Sequence, residues 1–445
     1  MVANKLFTKP QSFLKSFGEL SEGPLDLSWD SRTHEKGQAF IALKGDNFDG
    51  SNFIEEVIAR GCPLVIGAKN LRDIYPQTVF IEVSDTIKYI QELAHLHLLD
   101  WKKEDKIVIG ITGSNGKTTT KEMLAHLLNA AHPGKVHKTT GNFNNHLGVP
   151  FTLLGLENEH SIAIVEMGTN HPGEIKFLCE LACPNNGIIT NIGPAHLEFF
   201  RTVENVFAEK RELLDFAKGK GFFVINRDDP YLGRVNPFKG LISFGEKNIA
   251  HNQINLDTPE GKVTLLNKHL LGRHNFENLA LAFLLSYYLF PQERDKFIVA
   301  ASNFTPLKNR SSWIEKGEKK FFLDAYNANP VSMKASLNAF VKFTETNNIS
   351  LKDCLFILGD MNELGKDAEL FHQNMGSHLK DLSAINVAFL GRYSGSYGKG
   401  YKNASKIYLN KLGLEKDWPK LLKSFKYFFL KGSRSLQLES LVDIT

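Results

Sequence analysis

Residues Ile107-Val-Ile-Gly-Ile-Thr-Gly-Ser-Asn-Gly-Lys-Thr-Thr-Thr120 leave this chain few options. From Ile107 to Thr112 the residues are β-branched or apolar apart from one glycine, the composition of a strand buried in a parallel sheet. The strand breaks at Gly113-Ser114-Asn115-Gly116, and a helix is predicted from Lys117 through Leu128. Strand, glycine turn and helix N-terminus together form an anion cradle, because loop N–H groups turn inward and the helix dipole adds partial positive charge. Lys117 then reaches the β- and γ-phosphates of a nucleotide, and the Thr118 hydroxyl is placed to ligate Mg²⁺. Gly113, Ser114, Asn115, Gly116 and Thr119 complete the expected ATP contacts in the loop. The spacing is tighter than the general phosphate-loop pattern, which carries a further glycine where Ile111 stands.

With 445 residues there is room for about three domains, each with its own core. A net charge of +4 with no basic block interleaved with aromatics argues against a nucleic-acid surface, so no nucleic-acid partner is expected. No stretch reaches the ~18 apolar residues of a membrane span. The first ten residues lack the apolar run of a targeting signal, and a cytoplasmic monomer is expected. Cys62, Cys179, Cys183 and Cys354 contain no CxxC pair, and Cys179 and Cys183 lack a second ligand pair at zinc spacing. Reduced, buried thiols are the expectation.

In order along the chain, residues 25–99 read as a small α/β unit. Strands are predicted at Gln38–Lys44, Pro63–Ile66 and Val79–Val83, with a turn at Gly45–Gly50, a helix near Asn52–Arg60 and another opening at Asp85 as N-cap. Ser31 and Arg32 beside the glycine turn suit a phosphate or a uracil edge; a surface turn with a salt bridge fits them equally. His95 and His97 lie in a helical run and read as surface or packed residues.

Residues 101–306 alternate strand and helix, the signature of a parallel sheet covered by helices. Strands are predicted at Ile107–Thr112, Ser161–Glu166, Gly187–Asn191 and Phe222–Asn226. Ligands of such sheets gather beyond the carboxyl ends of the strands. Glu166 ends one strand and His196 lies just past another, so the pair is a candidate Mg²⁺ set around ATP. Lys210 follows on a predicted helix, Val203–Leu214. Asn142, Asn144 and Asn145 form a polar, turn-rich loop directed the same way. From 307 to 445 a second α/β unit follows, with strands at Lys320–Asp324, Cys354–Gly359, Val387–Leu390 and Phe425–Leu430 and a helix at Ser332–Phe343. Lys431-Gly-Ser-Arg-Ser435 is predicted to lead into a final helix, as a second anion-type turn.

These segments together resemble the Mur ligase family, along nearly the whole chain and in order. Thr112–Thr118, Gly141–Pro150, Ala195–Glu198 and Gly272–Asn278 are similar to family blocks. Tyr326–Pro330, Gly359–Gly365 and Lys431–Ser435 resemble blocks of the branch that adds D-Ala-D-Ala to UDP-N-acetylmuramoyl-tripeptide. The resemblance implies an α/β protein of three domains: a small N-terminal α/β domain for the UDP substrate (1–99), a central phosphate-loop domain with a mostly parallel sheet for ATP (100–306), and a C-terminal Rossmann-like ligase domain (307–445).

By position, the resemblance makes Lys117 the phosphate-binding lysine and Thr118, Glu166 and His196 metal ligands. It places Lys210 where the family carries a carbamylated lysine, a carboxylate for a second Mg²⁺ that an unmodified ammonium cannot supply. Lys117, Lys210, His196 and Glu166 are therefore the expected catalytic group. Asn278 resembles the adenine-contacting asparagine, and Arg310 and Asp324 the C-terminal ATP contacts. Ser31, Arg32, Lys44 and Gly45 resemble the UDP-side motif. Asn142, Asn144, Asn145, Tyr326, Asn327 and Asn329 complete the implied substrate contacts. The family pattern has Pro-Gly-Arg where this chain has Lys308-Asn309-Arg310; asparagine tolerates positive φ, which preserves the turn.

The implied reaction is ATP-driven amide bond formation through an acyl phosphate, in peptidoglycan precursor synthesis, with ATP and Mg²⁺ as cofactors. The alternatives are a sister ligase adding a diamino acid to the dipeptide or glutamate to folate, a nucleotide switch, and a small-molecule kinase. The diamino-acid branch carries an Asp-Asn-Pro-Arg block, which this chain lacks. A folate ligase would lack the UDP-side unit, and a switch needs the phosphate loop but not the metal set.

Overall fold

The computed structural model describes residues 1–19, 23–45, 48–102, 106–245, 249–250 and 253–445. They divide into two compact units, one made of 1–111, 132–169 and 173–187, the other of 112–131, 170–172 and 188–445. These limits differ from 99/100 and 306/307 because the central part of the sequence supplies strands to both units.

In the first unit, a five-stranded sheet has the order Phe13–Phe17, Val79–Val83, Leu64–Gly67, Ala39–Ile41, Leu27–Ser28. The first pair is antiparallel and the rest parallel. The strand predicted at 38–44 is only Ala39–Ile41. Lys44–Gly45 instead pairs with Phe48–Asp49 as a separate hairpin, and residues 46–47 of the predicted turn lie outside the described residues. The helix Thr86–Trp101 starts as expected, with Asp85 Oδ1 accepting from the N–H groups of Ile87 (2.8 Å) and Lys88 (3.0 Å). Its buried stripe of Tyr89, Ile90, Leu93, Ala94, His97, Leu98 and Trp101 has helical spacing. His97 is packed, its Nε2 2.9 Å from the Leu156 carbonyl, and His95 Nδ1 lies 2.9 Å from Leu181 O. The strand Ile162–Glu166 runs parallel between Ile107–Thr112 and Val136–Lys138, so its five residues are all buried.

The second unit holds the parallel pair Phe223–Asn226 and Leu241–Phe244 and an antiparallel hairpin, Gln253–Thr258 with Gly261–Leu266. The hairpin was not anticipated, although its signal is local: Ile254 and Leu256 face Leu265 and Val263, alternating with polar residues around Pro259-Glu260-Gly261. Helix Arg273–Leu289, also unanticipated, is apolar on nearly every side and buried accordingly.

The C-terminal sheet has the order Ser312–Lys316, Lys319–Asp324, Tyr427–Lys431, Cys354–Gly359, Val387–Leu390, Lys406–Tyr408. Only its first pair is antiparallel. Paired phenylalanines show the two-residue period. Phe322 and Phe429 pack on one face with Phe340 and Phe356, while Phe321 and Phe428 pack on the other with Trp418 and Leu414. The last strand returns between Lys319–Asp324 and Cys354–Gly359. Strand order reverses there, the point at whose carboxyl ends ligands of open α/β sheets gather, and Asp324, Lys431 and the loop after Gly359 follow those ends. The helix predicted directly after Ser435 is not formed as such. Arg434–Leu436 is a single 3₁₀ turn, and the helical segment Ser440–Asp443 has four residues, too short for an anion-binding terminus.

Among the described residues no helix is long and apolar enough to cross a membrane. Cys62, Cys179 and Cys354 are buried thiols, and no disulfide forms.

Candidate active site

The phosphate-type loop lies in the second unit. It joins the end of the strand Ile107–Thr112 to the helix Lys117–Ala131. Its shape is held by the segment that follows Ile189. Thr190 N–H donates to Thr112 O at 2.9 Å, and Ser114 N–H donates to Asn191 O at 2.9 Å. The Asn191 side chain closes a reciprocal pair, accepting from Asn115 N–H (3.0 Å) and donating to Asn115 O (3.1 Å). Ser114 Oγ donates to Gly193 O at 3.0 Å and accepts from Gly193 N–H at 2.9 Å. Gly116 has φ +81, and a Cβ there would stand 2.5 Å from Asn278 Oδ1. Only glycine satisfies both the turn and that approach. The same contact places Asn278 against the loop, from within the buried helix Arg273–Leu289.

Cationic groups collect at this helix N-terminus. Lys117 Nζ donates to Gly113 O at 2.7 Å, bridging the loop. Arg310 Nη2 donates to Thr118 Oγ1 at 3.0 Å, and its guanidinium lies 3.8 Å over the Tyr326 ring. The turn that presents Arg310 survives without its glycine, because Asn309 adopts φ +65. Lys210, on helix Val203–Ala217, is 1% exposed. Its pKa is driven well below the usual lysine value, by burial first and then by the Lys117 charge, against a smaller opposing pull from Glu209. Asn115 Nδ2 is buried and finds no acceptor among the described residues, while its Oδ1 accepts from Asn329 Nδ2 at 2.5 Å. Converging cations, loop amides and an unmatched amide donor fit a polyphosphate.

Asp324 ends the strand Lys319–Asp324. Burial opposes its ionisation, but the Lys431 ammonium at 2.5 Å and the Ser336 hydroxyl at 2.5 Å hold its carboxyl below the usual range. Ser311 N–H also donates to it at 3.2 Å, tying Asp324 to the Arg310 turn. The Asn327 carbonyl accepts from Lys431 Nζ at 3.1 Å. Asn329 caps helix Pro330–Thr346, its Oδ1 accepting from Ser332 N–H at 2.9 Å. Asn329 thus organises the helix start and the loop at Asn115, while Tyr326 supports Arg310.

His196 follows the loop segment with φ +52, and its Nδ1 stands 2.6 Å from Glu363 Oε2. Thr118 and His196 both lie in the second unit. Among the described residues no group of three or more His, Cys, Asp or Glu side chains gathers to hold a metal.

In the first unit, Glu166 is 1% exposed at the end of its strand, with Oε1 accepting from Asn144 Nδ2 at 2.8 Å and its N–H donating to Thr139 Oγ1 at 3.0 Å. Asn145 Oδ1 accepts from Gly148 N–H at 2.8 Å where the helix Gly148–Leu154 begins, and Asn142 is exposed. Arg32 is 85% exposed and ion-pairs with Asp30 at 2.6 Å, the salt-bridged surface turn. Ser31 is buried, its carbonyl accepting from Arg60 at 2.6 Å. Lys44 ion-pairs with Asp49 at 3.5 Å beside Gly45.

Sequence reasoning assigned no role to Asn191, Lys431 or Glu363. The last two stand in motifs that were recognised; Asn191 ends a predicted strand, and nothing in its local sequence signals a loop clamp.

Three family descriptions match successive parts of the chain: "Mur ligase family, catalytic domain" over 27–97, "Mur ligase middle domain" over 111–286, and "Mur ligase, glutamate ligase domain" over 309–403. The chain is 32% identical over 439 residues to UDP-N-acetylmuramoyl-tripeptide–D-alanyl-D-alanine ligase of Bacillus subtilis, covering 94% of this chain and 92% of that protein. The crystal structure of MurF from Acinetobacter baumannii superposes with a TM-score of 0.86 at 26% identity, over 100% of this chain and 98% of that one. MurF ligase from Thermotoga maritima, solved in complex with ADP, gives a TM-score of 0.78 at 25% identity, over 94% and 96% of the two chains. The motif order, the phosphate-type loop and these matches agree: the chain belongs to the Mur ligase family.

Proposed function

We propose that this protein is the ATP-dependent, ADP-forming ligase that joins D-Ala-D-Ala to UDP-N-acetylmuramoyl-tripeptide in cytoplasmic peptidoglycan precursor synthesis. The observation that carries the reading is the loop Gly113–Thr118 with Lys117, Arg310 and buried Lys210 around it, an anion cradle in a chain that aligns over 94% of its length with a ligase of that name. We assign 1–99 to the UDP substrate, 100–306 to ATP and 307–445 to the incoming amine, and each family match falls inside one of these segments.

A peptide carboxylate is a poor acyl donor. Its oxygen attacks the γ-phosphorus of ATP, the bond to the β-phosphate oxygen breaks, and ADP leaves an acyl phosphate. The amine of D-Ala-D-Ala adds to the acyl carbon, loses a proton, and the tetrahedral intermediate expels phosphate. Loop amides and Lys117 offset the charge that builds between two anions in the first step. Arg310, held by Thr118 and Tyr326, adds a planar donor at the same end. Asp324, kept ionised by Lys431, fixes the Arg310 turn through Ser311. Asn278 contacts the adenine side of the nucleotide.

Thr118 and His196 are the proposed Mg²⁺ donors in the second unit; Glu166 is proposed as a metal ligand on its own motif match alone. Mg²⁺ neutralises phosphate charge when bound. Burial leaves the Lys210 amine neutral more readily than a surface lysine, and a neutral amine is the form that adds CO₂ to become a carbamate. Ser31, Arg32, Lys44, Gly45, Asn142, Asn144, Asn145, Tyr326, Asn327 and Asn329 are proposed around the two substrates.

The test is phosphate release from ATP with UDP-N-acetylmuramoyl-tripeptide, with and without D-Ala-D-Ala, with mass spectrometry of the product. Release requiring both, with one dipeptide added, is expected. Turnover only with the dipeptide precursor and a diamino acid would move the protein to the sister branch.

A further inference from the structure

The loop after the strand Cys354–Gly359 does more than cross the carboxyl end of its sheet. Asp360 accepts from the N–H groups of Arg392 (2.8 Å) and Tyr393 (3.0 Å), and its carbonyl accepts from Ser433 N–H (2.9 Å). Met361 N–H donates to Nε2 of fully buried His372 at 3.0 Å, and that ring's Nδ1 lies 2.6 Å from Ala368 O. Asn362 N–H donates to Ser433 Oγ at 2.9 Å. Three consecutive residues are thus pinned immediately before Glu363.

Glu363 itself has φ +62, in the left-handed region that costs a non-glycine residue roughly 1 kcal/mol or more. Two residues on, Gly365 has φ +64, and a Cβ there would lie 3.3 Å from Glu198 Cα. The loop is therefore pressed against the backbone that starts at His196, which is left-handed as well at φ +52. The result is one ion-pair contact: Glu363 Oε2 stands 2.6 Å from His196 Nδ1, a buried nitrogen that makes no aligned hydrogen bond among the described residues. The Glu363 side chain remains 48% exposed, so burial does not account for its placement.

An imidazole has two nitrogens, and the partner of one decides what the other can do. A carboxylate at Nδ1 holds the proton there and leaves the Nε2 lone pair outward, the form that ligates a cation. We propose that Glu363 is a positioning residue that fixes the ring orientation and Nδ1–H tautomer of His196, presenting Nε2 to a divalent cation. The proposal rests on the reading of His196 as a metal ligand. It gives a chemical task to the Asp360–Glu363 segment, which the reaction scheme does not otherwise use.

The experiment pairs two measurements on wild type, E363A, E363Q and H196A. Long-range proton–nitrogen NMR of histidine ring nitrogens, with His196 assigned from its loss in H196A, reads the tautomer without metal or turnover. E363A is expected to move His196 away from the Nδ1–H form. E363Q, whose Oε1 still accepts a hydrogen bond, is expected to keep it. Paramagnetic resonance titration of Mn²⁺ in the presence of ADP is expected to show binding weakened about tenfold or more in E363A and largely restored in E363Q. Unchanged His196 ring signals in folded E363A overturn the proposal. Weakened Mn²⁺ binding in H196A with none in E363A overturns it too. An H196A protein that binds Mn²⁺ like wild type instead overturns the ligand reading, while the ring signals still decide whether Glu363 sets the tautomer.

Discussion

Arg310 and Thr118, 192 residues apart, are joined by one hydrogen bond of 3.0 Å from Nη2 to Oγ1. It brings a guanidinium from the segment before the C-terminal sheet to the first turn of the phosphate-loop helix. The Tyr326 ring 3.8 Å beneath the guanidinium restricts it to one plane. R310A is expected to lower kcat/KM for ATP by about 10²-fold, on the scale of one lost transition-state donor. R310K restores charge but neither the fork nor the stack, so only partial recovery is expected in steady-state kinetics. Full recovery by lysine would reduce the role of Arg310 to a point charge.

Lys117 Nζ donates to Gly113 O across the loop. K117A removes a cation that acts on the reacting phosphate, and a fall of ~10²–10³-fold in phosphate release is expected. The thermal midpoint should stay close to wild type, because the lysine is not a core residue. Normal turnover in this variant would remove the ATP-cradle assignment.

The contact between Gly116 and Asn278 separates backbone strain from crowding. G116A meets both φ +81 and an Asn278 Oδ1 only 2.5 Å away. It is expected to cost ~1–3 kcal/mol in denaturant unfolding and to abolish measurable ATP binding. N278A relieves the crowding alone. In a double-mutant cycle the cost of G116A should therefore shrink in the N278A background without vanishing. Strict additivity would show that the two positions do not touch.

His274 sits in the first turn of the helix Arg273–Leu289 with its pKa lowered to about 4, by burial first, with Asp324 pulling the other way and Lys431 reinforcing the shift. Its unfolded value is 6.5, so between the two the unfolded chain binds more protons than the folded one. The neutral ring's contribution is complete above pH 6.5 and is lost as pH falls toward about 4. The loss is about 3 kcal/mol at most. Urea midpoints measured across that window should fall less steeply for H274Q than for wild type. An identical slope would show that the ring is as solvated folded as unfolded.

For Lys210, intact-mass analysis under native conditions in bicarbonate buffer should show a carboxyl adduct that K210R lacks. Turnover should rise with bicarbonate in wild type and not in K210R. Activity independent of bicarbonate, with no adduct, would leave Lys210 an unmodified buried lysine.

Most of this architecture could be read locally. Strands Val79–Val83, Cys354–Gly359 and Val387–Leu390 lie where apolar runs predicted them. The Asp85 cap and the left-handed Asn309 follow from side-chain chemistry within a few residues. The hairpin Gln253–Leu266 is legible in its alternation, whereas helix Arg273–Leu289 lacks the polar face that would mark its period. Arg32 pairs with Asp30 two residues away, a contact that local sequence already offered.

What the sequence by itself determined was the phosphate-type loop, the alternation of strands and helices, and membership of the Mur ligase family, since each depends on residues adjacent in the chain. Tertiary structure decided which distant groups complete the loop. Asn191 clamps Asn115, Arg310 reaches Thr118, Lys431 holds Asp324 ionised, and Glu363 takes the Nδ1 side of His196. These pairs are separated by 76, 192, 107 and 167 residues, and nothing in the intervening composition specifies them. They exist because strand order brings carboxyl ends together and burial makes an unmatched charge or amide costly enough to select its partner.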